Sequence, residues 1–363
     1  MKSLLPFIAL SVAWCAPAPG QMKPLLQKGR ITTTLTFDGP RTFALPTACD
    51  DKGRSYVKVW KPDGKMTEKP PAGPVFRVSD KGVIEAQFNS NEMLGNIFAV
   101  RPDGGIAALV VSIGKGGMQF LGKTKVIDNF GPDGARESQV RLETPPIPIE
   151  PMQIAVFPSG GFFLAGQEYR DEKKISAAVY DAEGHLLKQV DWEETDEEPH
   201  AVSGSSDKAA AASESPSRSI AITGDDGYVY FMRAMFPPSI YVISSAGEIV
   251  RKLVVKGSAG TNSPYFGLRM VENRLLVEFY RDCQTPYDEI LARAKVEIDP
   301  SCGRKVYTIV DATTGERIAD FEPDPRASGP MACYVPDLDH FYTFSFDFQA
   351  EGHPLEMIET APK

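Results

Sequence analysis

The chain has 363 residues, 42% of them hydrophobic and 24% charged, and its 39 basic and 48 acidic residues leave a formal net charge of −9. That is the composition of an ordinary globular protein with enough apolar side chains for a core. It carries no basic stripe of the kind that grips a phosphate backbone, so nucleic acid is not an expected partner. No apolar run approaches the roughly twenty residues of a membrane-spanning helix, so no transmembrane segment is expected.

Lys2 precedes an apolar stretch over residues 4–16, and Ala18 and Gly20 supply small residues at positions −3 and −1 of a cut before Gln21. This pattern predicts a secretory signal over residues 1–20, a mature domain over 21–363, and a periplasmic or extracellular location. Trp14 stands where a lipoprotein signal carries a small residue, which argues against lipidation of Cys15.

Six times along the rest of the chain an apolar run breaks at a Gly, Asp or Asn turn and resumes. Residues 47–53 lead into Tyr56-Val57-Lys58-Val59-Trp60, 97–104 into 107–111, 154–160 into 162–165, 220–227 into 228–231, 268–273 into 275–279, and 332–337 into 341–344. In the first five units a second hairpin follows, at 75–84, 125–134, 176–187, 240–250 and 306–318, with the period-2 alternation of half-buried antiparallel strands. Long-period self-similarity fixes architecture before any motif does. Two hairpins per unit make a four-stranded blade, so the chain is predicted to be an all-β, six-bladed β-propeller of antiparallel blades. The sixth unit has strands near 332–335, 341–348 and 355–359 but no fourth. Residues 31–37, Ile-Thr-Thr-Thr-Leu-Thr-Phe, are available to supply it and close the ring from the N-terminus.

Between the blades lie two long excursions. The first, 192–218, passes from an acidic run over 191–198 into a Ser- and Ala-rich tract with no apolar face to bury. The second, 282–305, contains Thr285-Pro286-Tyr287-Asp288, which reads as the start of a short helix through Ala294. Ile113-Gly114-Lys115-Gly116-Gly117 lacks the spacing of a phosphate loop and is expected to be an ordinary loop, and no Gly-x-Ser-x-Gly elbow occurs in the mature chain.

The recurring strand, Pro-Asp-Gly or Asp-x-x-Gly turn, and Tyr-Val or Phe-Leu strand resemble the six-bladed propellers of the NHL-like and TolB-like kind over residues 31–360. The resemblance implies architecture and leaves function open, because such propellers host binders and enzymes alike. One enzyme branch, the gluconolactonase-type and paraoxonase-type hydrolases, holds calcium in the central tunnel with inner-strand Glu, Asn and Asp. Asp50, Asp51, Asn96 and Asn273 lie in or near inner-strand segments here, but turn-forming Asp and Asn are expected at those places in any case.

Four cysteines remain outside the signal. A Cys283 to Cys302 disulfide would tie off the second excursion and stabilise it by roughly 3 kcal/mol. Cys49 and Cys333 either pair across the first and last units or stay as two buried thiols. No zinc spacing exists, and His185, His200, His340 and His353 are scattered.

Three second strands end on an arginine, in Glu168-Tyr169-Arg170-Asp171, Phe231-Met232-Arg233 and Glu278-Phe279-Tyr280-Arg281-Asp282. Propeller topology puts these ends on the face shared by the inter-blade loops and the two excursions. Tyr169, Arg170, Arg233, Tyr280 and Arg281 therefore form a candidate binding set, since planar guanidinium forks and tyrosines anchor interfaces. Alternatively, the arginines pair with acids of their own or neighbouring blades. The leading expectation is an exported, non-catalytic propeller that recognises a protein, peptide or glycan on this face and needs no cofactor. The alternative is a calcium-assisted hydrolase or lyase in the tunnel.

Overall fold

The computed structural model describes residues 25–26, 29–37, 43–60, 74–89, 93–110, 112–114, 117–119, 125–168, 171–192, 219–233, 239–255, 261–271, 273–281, 305–322, 324, 326–327, 333–335, 340–346 and 354–360. Every regular element among them is a strand. Two N-terminal strands, β1 (Leu25–Leu26) and β2 (Arg30–Leu35), precede the first blade. Blade one is β3 (Phe43–Cys49), β4 (Ser55–Trp60), β5 (Val75–Val78) and β6 (Ile84–Phe88). Blade two opens with β7 (Met93–Val100) and β8 (Ile106–Val110), carries a small hairpin of β9 (Ser112–Gly114) and β10 (Gly117–Gln119), and ends with β11 (Val126–Phe130) and β12 (Arg136–Arg141). Blade three is β13 (Ile149–Val156), β14 (Phe162–Glu168), β15 (Asp171–Tyr180) and β16 (Leu186–Val190). Blade four is β17 (Ile220–Thr223), β18 (Val229–Arg233), β19 (Ser239–Ile243) and β20 (Ile249–Val254). Blade five is β21 (Thr261–Val271), β22 (Arg274–Arg281), β23 (Lys305–Asp311) and β24 (Arg317–Glu322). Blade six is β25 (Cys333–Val335), β26 (His340–Phe346) and β27 (Leu355–Thr360), and its outer strand is β2. The result is a six-bladed β-propeller.

The turns explain the repeat. In most of them the amide of a glycine bonds the carbonyl three residues before it, as Gly104 does to Arg101 at 2.9 Å, while Arg101 bonds back to Gly105 at 2.9 Å. Gly104 has φ of +87°, a conformation that favours glycine, and a Cβ there would also press on the Arg54 guanidinium. Burial follows position in the blade. The middle strands β8 and β19 are buried along their whole length, because each blade face is covered by a neighbouring blade, and their sequences, Ile-Ala-Ala-Leu-Val and Ser-Ile-Tyr-Val-Ile, run almost continuously apolar. The outer strand β12 is mostly exposed and reads Arg-Glu-Ser-Gln-Val-Arg.

The N-terminal strand closes the ring as the sequence predicts, with Thr33 opposite Met357 and Leu35 opposite Leu355 in antiparallel register. A second closure lies on the inner side. Cys49 of β3 and Cys333 of β25 form a disulfide with a Cα–Cα distance of 5.7 Å, which settles the two outcomes left open for these cysteines. Cys283, Cys302 and the short helix expected from Thr285 lie outside the described residues. Within the glycine-rich segment read as a loop, the described residues pair as a hairpin, with Ile113 opposite Met118 and Gly114 opposite Gly117, because the stretches flanking its centre are long enough to form short strands. A further departure is β1, which pairs in parallel with β24 and gives blade five a fifth strand.

Candidate functional site

The first strands of neighbouring blades β3, β7, β13, β17 and β21 lie against one another around the axis. At the ends where they run into their hairpin turns they enclose a cavity of about 540 Å³, lined by residues 47–51, 98–102, 153–155, 158, 220–225, 269 and 270. Its wall mixes apolar side chains, Ala48, Phe98, Ile154, Ile222 and Met270 among them, with polar and charged ones such as Asp50, Arg101 and Gln153. The volume lies in the range of ordinary ligand sites.

Most polar groups at this mouth are engaged by the protein itself. Asp50 accepts the amides of Lys52 and Arg54 at 3.0 and 2.9 Å and the Arg54 Nε at 2.6 Å, so it acts as the turn-former the sequence allows for. The Tyr56 hydroxyl donates to the Gly104 carbonyl at 2.9 Å and lies 3.2 Å from Asp50, and burial together with that carboxylate pushes its pKa up. Blade four repeats the device: Tyr230 donates to Asp226 at 2.7 Å, and Arg251 donates to the Tyr230 hydroxyl at 3.2 Å. Arg101 donates to Glu137 at 2.6 Å and forms an ion pair with Asp103 at 2.9 Å. Thr47 and Thr223 donate to the carbonyls of Tyr56 and Val156.

Arg269 is different. Its Nη1 donates to the Leu268 carbonyl at 2.6 Å and its Nε is buried without a partner among the described residues. Burial lowers its pKa to about 10, against the opposing pull of Glu278 and Tyr307. The Glu278 side chain packs over Gly267, where a Cβ would come within 2.5 Å of it. Both charges interrupt apolar strands, in Leu268-Arg269-Met270 and Val277-Glu278-Phe279, and that interruption was the available sequence signal for them.

The other tunnel candidates sort as follows. The Asn273 side chain donates to Thr313 at 3.2 Å and its carbonyl accepts the Ala312 amide, a turn role. Asn96 lies within β7 and Asp51 in the first hairpin turn. Among the described residues, the one trio of metal-ligating side chains with ligand atoms within 4.8 Å of one another is Asp181, Glu183 and His185, on the exposed β15–β16 hairpin.

The described members of the arginine set, Arg233 at the end of β18 and Tyr280 and Arg281 at the end of β22, end strands that run away from this mouth. Tyr169 and Arg170 lie outside the described residues. The Arg233 guanidinium lies 5.5 Å from the ring centroids of both Trp192 and Tyr241 and donates to the Tyr241 hydroxyl at 3.3 Å.

No protein-family model and no curated protein matches this chain. Among solved structures it is similar to a protein of unknown function from Dyadobacter fermentans, at 12% identity and TM-score 0.49, over 92% of this chain and 99% of that one. It is also similar to a protein of unknown function from Bacteroides caccae, at 12% identity and TM-score 0.43 over 78% and 83%. A third similarity is to a catalytically inactive virginiamycin B lyase from Staphylococcus aureus, at 12% identity and TM-score 0.41 over 91% and 99%. The resemblance to NHL-like and TolB-like propellers therefore rests on six-bladed architecture alone.

Proposed function

We propose that this propeller is a binding module, and that the axial mouth receives a segment of a protein, peptide or glycan. The observation that carries the reading is the cavity itself, about 540 Å³ with walls of mixed polarity and with Asp50, Arg101, Thr47 and Thr223 already committed to the fold. A concave seat of this size, with part of its polar lining already fixed by the fold, suits recognition by shape together with apolar and polar contacts.

The test is a peptide and glycan array probed with three proteins: the wild type, a Gln153→Trp variant that fills the mouth, and an Arg233→Ala, Arg281→Ala variant altered at the far end. Loss of array signal in the mouth variant alone supports the axial seat. Loss in the arginine variant alone moves recognition to the loop-rich face. A calcium-dependent rise in melting temperature that Gln153→Trp abolishes would instead support metal-assisted chemistry in the tunnel.

A further inference from the structure

Among the described residues two cations line the axial cavity, Arg101 and Arg269, and the fold treats them differently. Arg101 donates to Glu137 and to the Phe130 carbonyl and pairs with Asp103. Arg269 stands within β21 and spends Nη1 on the Leu268 carbonyl, while its buried Nε has no partner among the described residues. Glu278 attracts it through space, yet Arg269 makes no hydrogen bond to that carboxylate. A buried guanidinium short of partners costs free energy. It stays charged at neutral pH, since burial lowers its pKa only to about 10. An anion arriving through the cavity would restore the balance, and a planar fork of donors fits a carboxylate at two points.

The acids of the lining do not supply that anion. Asp50 is held by Arg54, and Asp51 and Asp225 stand in exposed turns at the edge of the mouth. Next to Arg269 in the strand is Met270, and Phe98, Ile154 and Ile222 contribute further apolar surface. Phe98 is the single aromatic ring among the described lining residues, and Asp50, Arg101, Thr47 and Thr223 are engaged by the fold. A glycan would bury many hydroxyls against such a wall, each costly without a partner. A peptide asks for less: one carboxylate at Arg269 and one apolar side chain on the neighbouring wall.

We infer that the axial cavity takes a peptide by a carboxylate, that of a C-terminus or of an Asp or Glu side chain, with Arg269 as the anchoring residue and an adjoining apolar residue against Met270 and Ile222. The inference rests on the axial seat proposed above.

The test is a peptide array on which every sequence appears in matched forms, with a free or an amidated C-terminus and with each Asp or Glu kept or changed to Asn or Gln, beside uronate and neutral glycans. Wild-type protein should bind the carboxylate form about tenfold to a hundredfold more tightly than its neutral match. Which match loses affinity tells a C-terminus from a side chain. Arg269→Met should erase the difference, so that matched forms bind alike. If that variant does not fold, Arg269→Met combined with Glu278→Leu, which strands neither charge, takes its place. Equal binding of matched forms by the wild type overturns the inference, and so does a preference that survives the loss of Arg269. Retention of uronate glycans alone overturns the choice of a peptide, and an array that retains nothing overturns both readings. If Gln153→Trp leaves binding intact, the axial seat itself has failed. If Gln153→Trp abolishes binding while matched forms stay equal, the seat stands and the carboxylate falls.

Discussion

The seam between blades three and four and the seam between blades five and six solve the same packing problem with different materials. The first buries twelve described hydrophobics, and Phe163, Trp192, Phe231 and Tyr241 stack through it at centroid distances of 5.1 to 5.4 Å. In the second, Arg269 and Glu278 share a face with Leu276 and Tyr307, and β1 and β2 pair with the outer strands of the two blades. In a ring of repeats each blade contacts only its neighbours, so stability is close to a sum of seam terms. The difference teaches that seams of one repeated geometry need not be filled with the same chemistry.

Four outcomes would break or sharpen that comparison. The largest effect is expected from Phe231→Ala, which empties the centre of the aromatic seam and should cost about 3–5 kcal/mol in denaturant unfolding. Leu276→Ala, beside Arg269 and Glu278, should cost less, and equal losses would erase the distinction. Next, Cys49→Ser with Cys333→Ser should lower stability by about 2–4 kcal/mol in the same assay, since the link closes a separation of 284 residues.

Third, Glu278→Leu alone should destabilise by about 2 kcal/mol, the usual penalty for stranding a buried partner being reduced because Arg269 also faces the cavity. Arg269→Met together with Glu278→Leu should recover most of that loss, and failure to recover would mean the two charges are not coupled. The smallest effect is in pH. Burial of Asp324 opposes its charge, but bonds from Arg326 and from the Gly29 amide outweigh this and hold its carboxyl below the usual range. A depressed carboxyl stabilises the fold above its unfolded value of about 3.9 and loses that contribution as pH falls toward the folded value. Denaturant unfolding should therefore show stability lost on acidification below about pH 4, and Asp324→Asn should remove part of that loss. Arg326 stays charged throughout and is also attracted by Glu356.

What could be read from sequence was what is local. Hairpins such as Arg101-Pro102-Asp103-Gly104 declare themselves within five residues, and the blade count follows from their recurrence. Closure by β2 was legible because blade six lacked a strand and 31–37 was unclaimed. The Cys49–Cys333 pairing was legible only as one of two outcomes, because it depends on how the ring brings β3 beside β25. The two-residue β1 carries too little pattern to announce itself. The axial site was legible only as a tunnel: Arg269 and Glu278 stand in apolar runs, and only the pairing of 269 with 276 and of 278 with 307 puts them on one face. Of the arginine set, Arg233 proves to stack on Trp192 and Tyr241, aromatic partners that lie 41 and 8 positions away along the chain and cannot be chosen from strand pattern alone.

The pairing of β2 with β27 also sets an order of events during synthesis. Blades one to five can each form from neighbouring hairpins as they emerge, which is fast and local. The strand made among the first must wait for the one made among the last, since Thr33 meets its partner Met357 only when blade six exists. Until then the protein is an open arc with unpaired strand edges at both ends and a free thiol at Cys49. That interval is when misassembly between nascent copies is most favoured, and a chain stopped before Leu355 would never leave it.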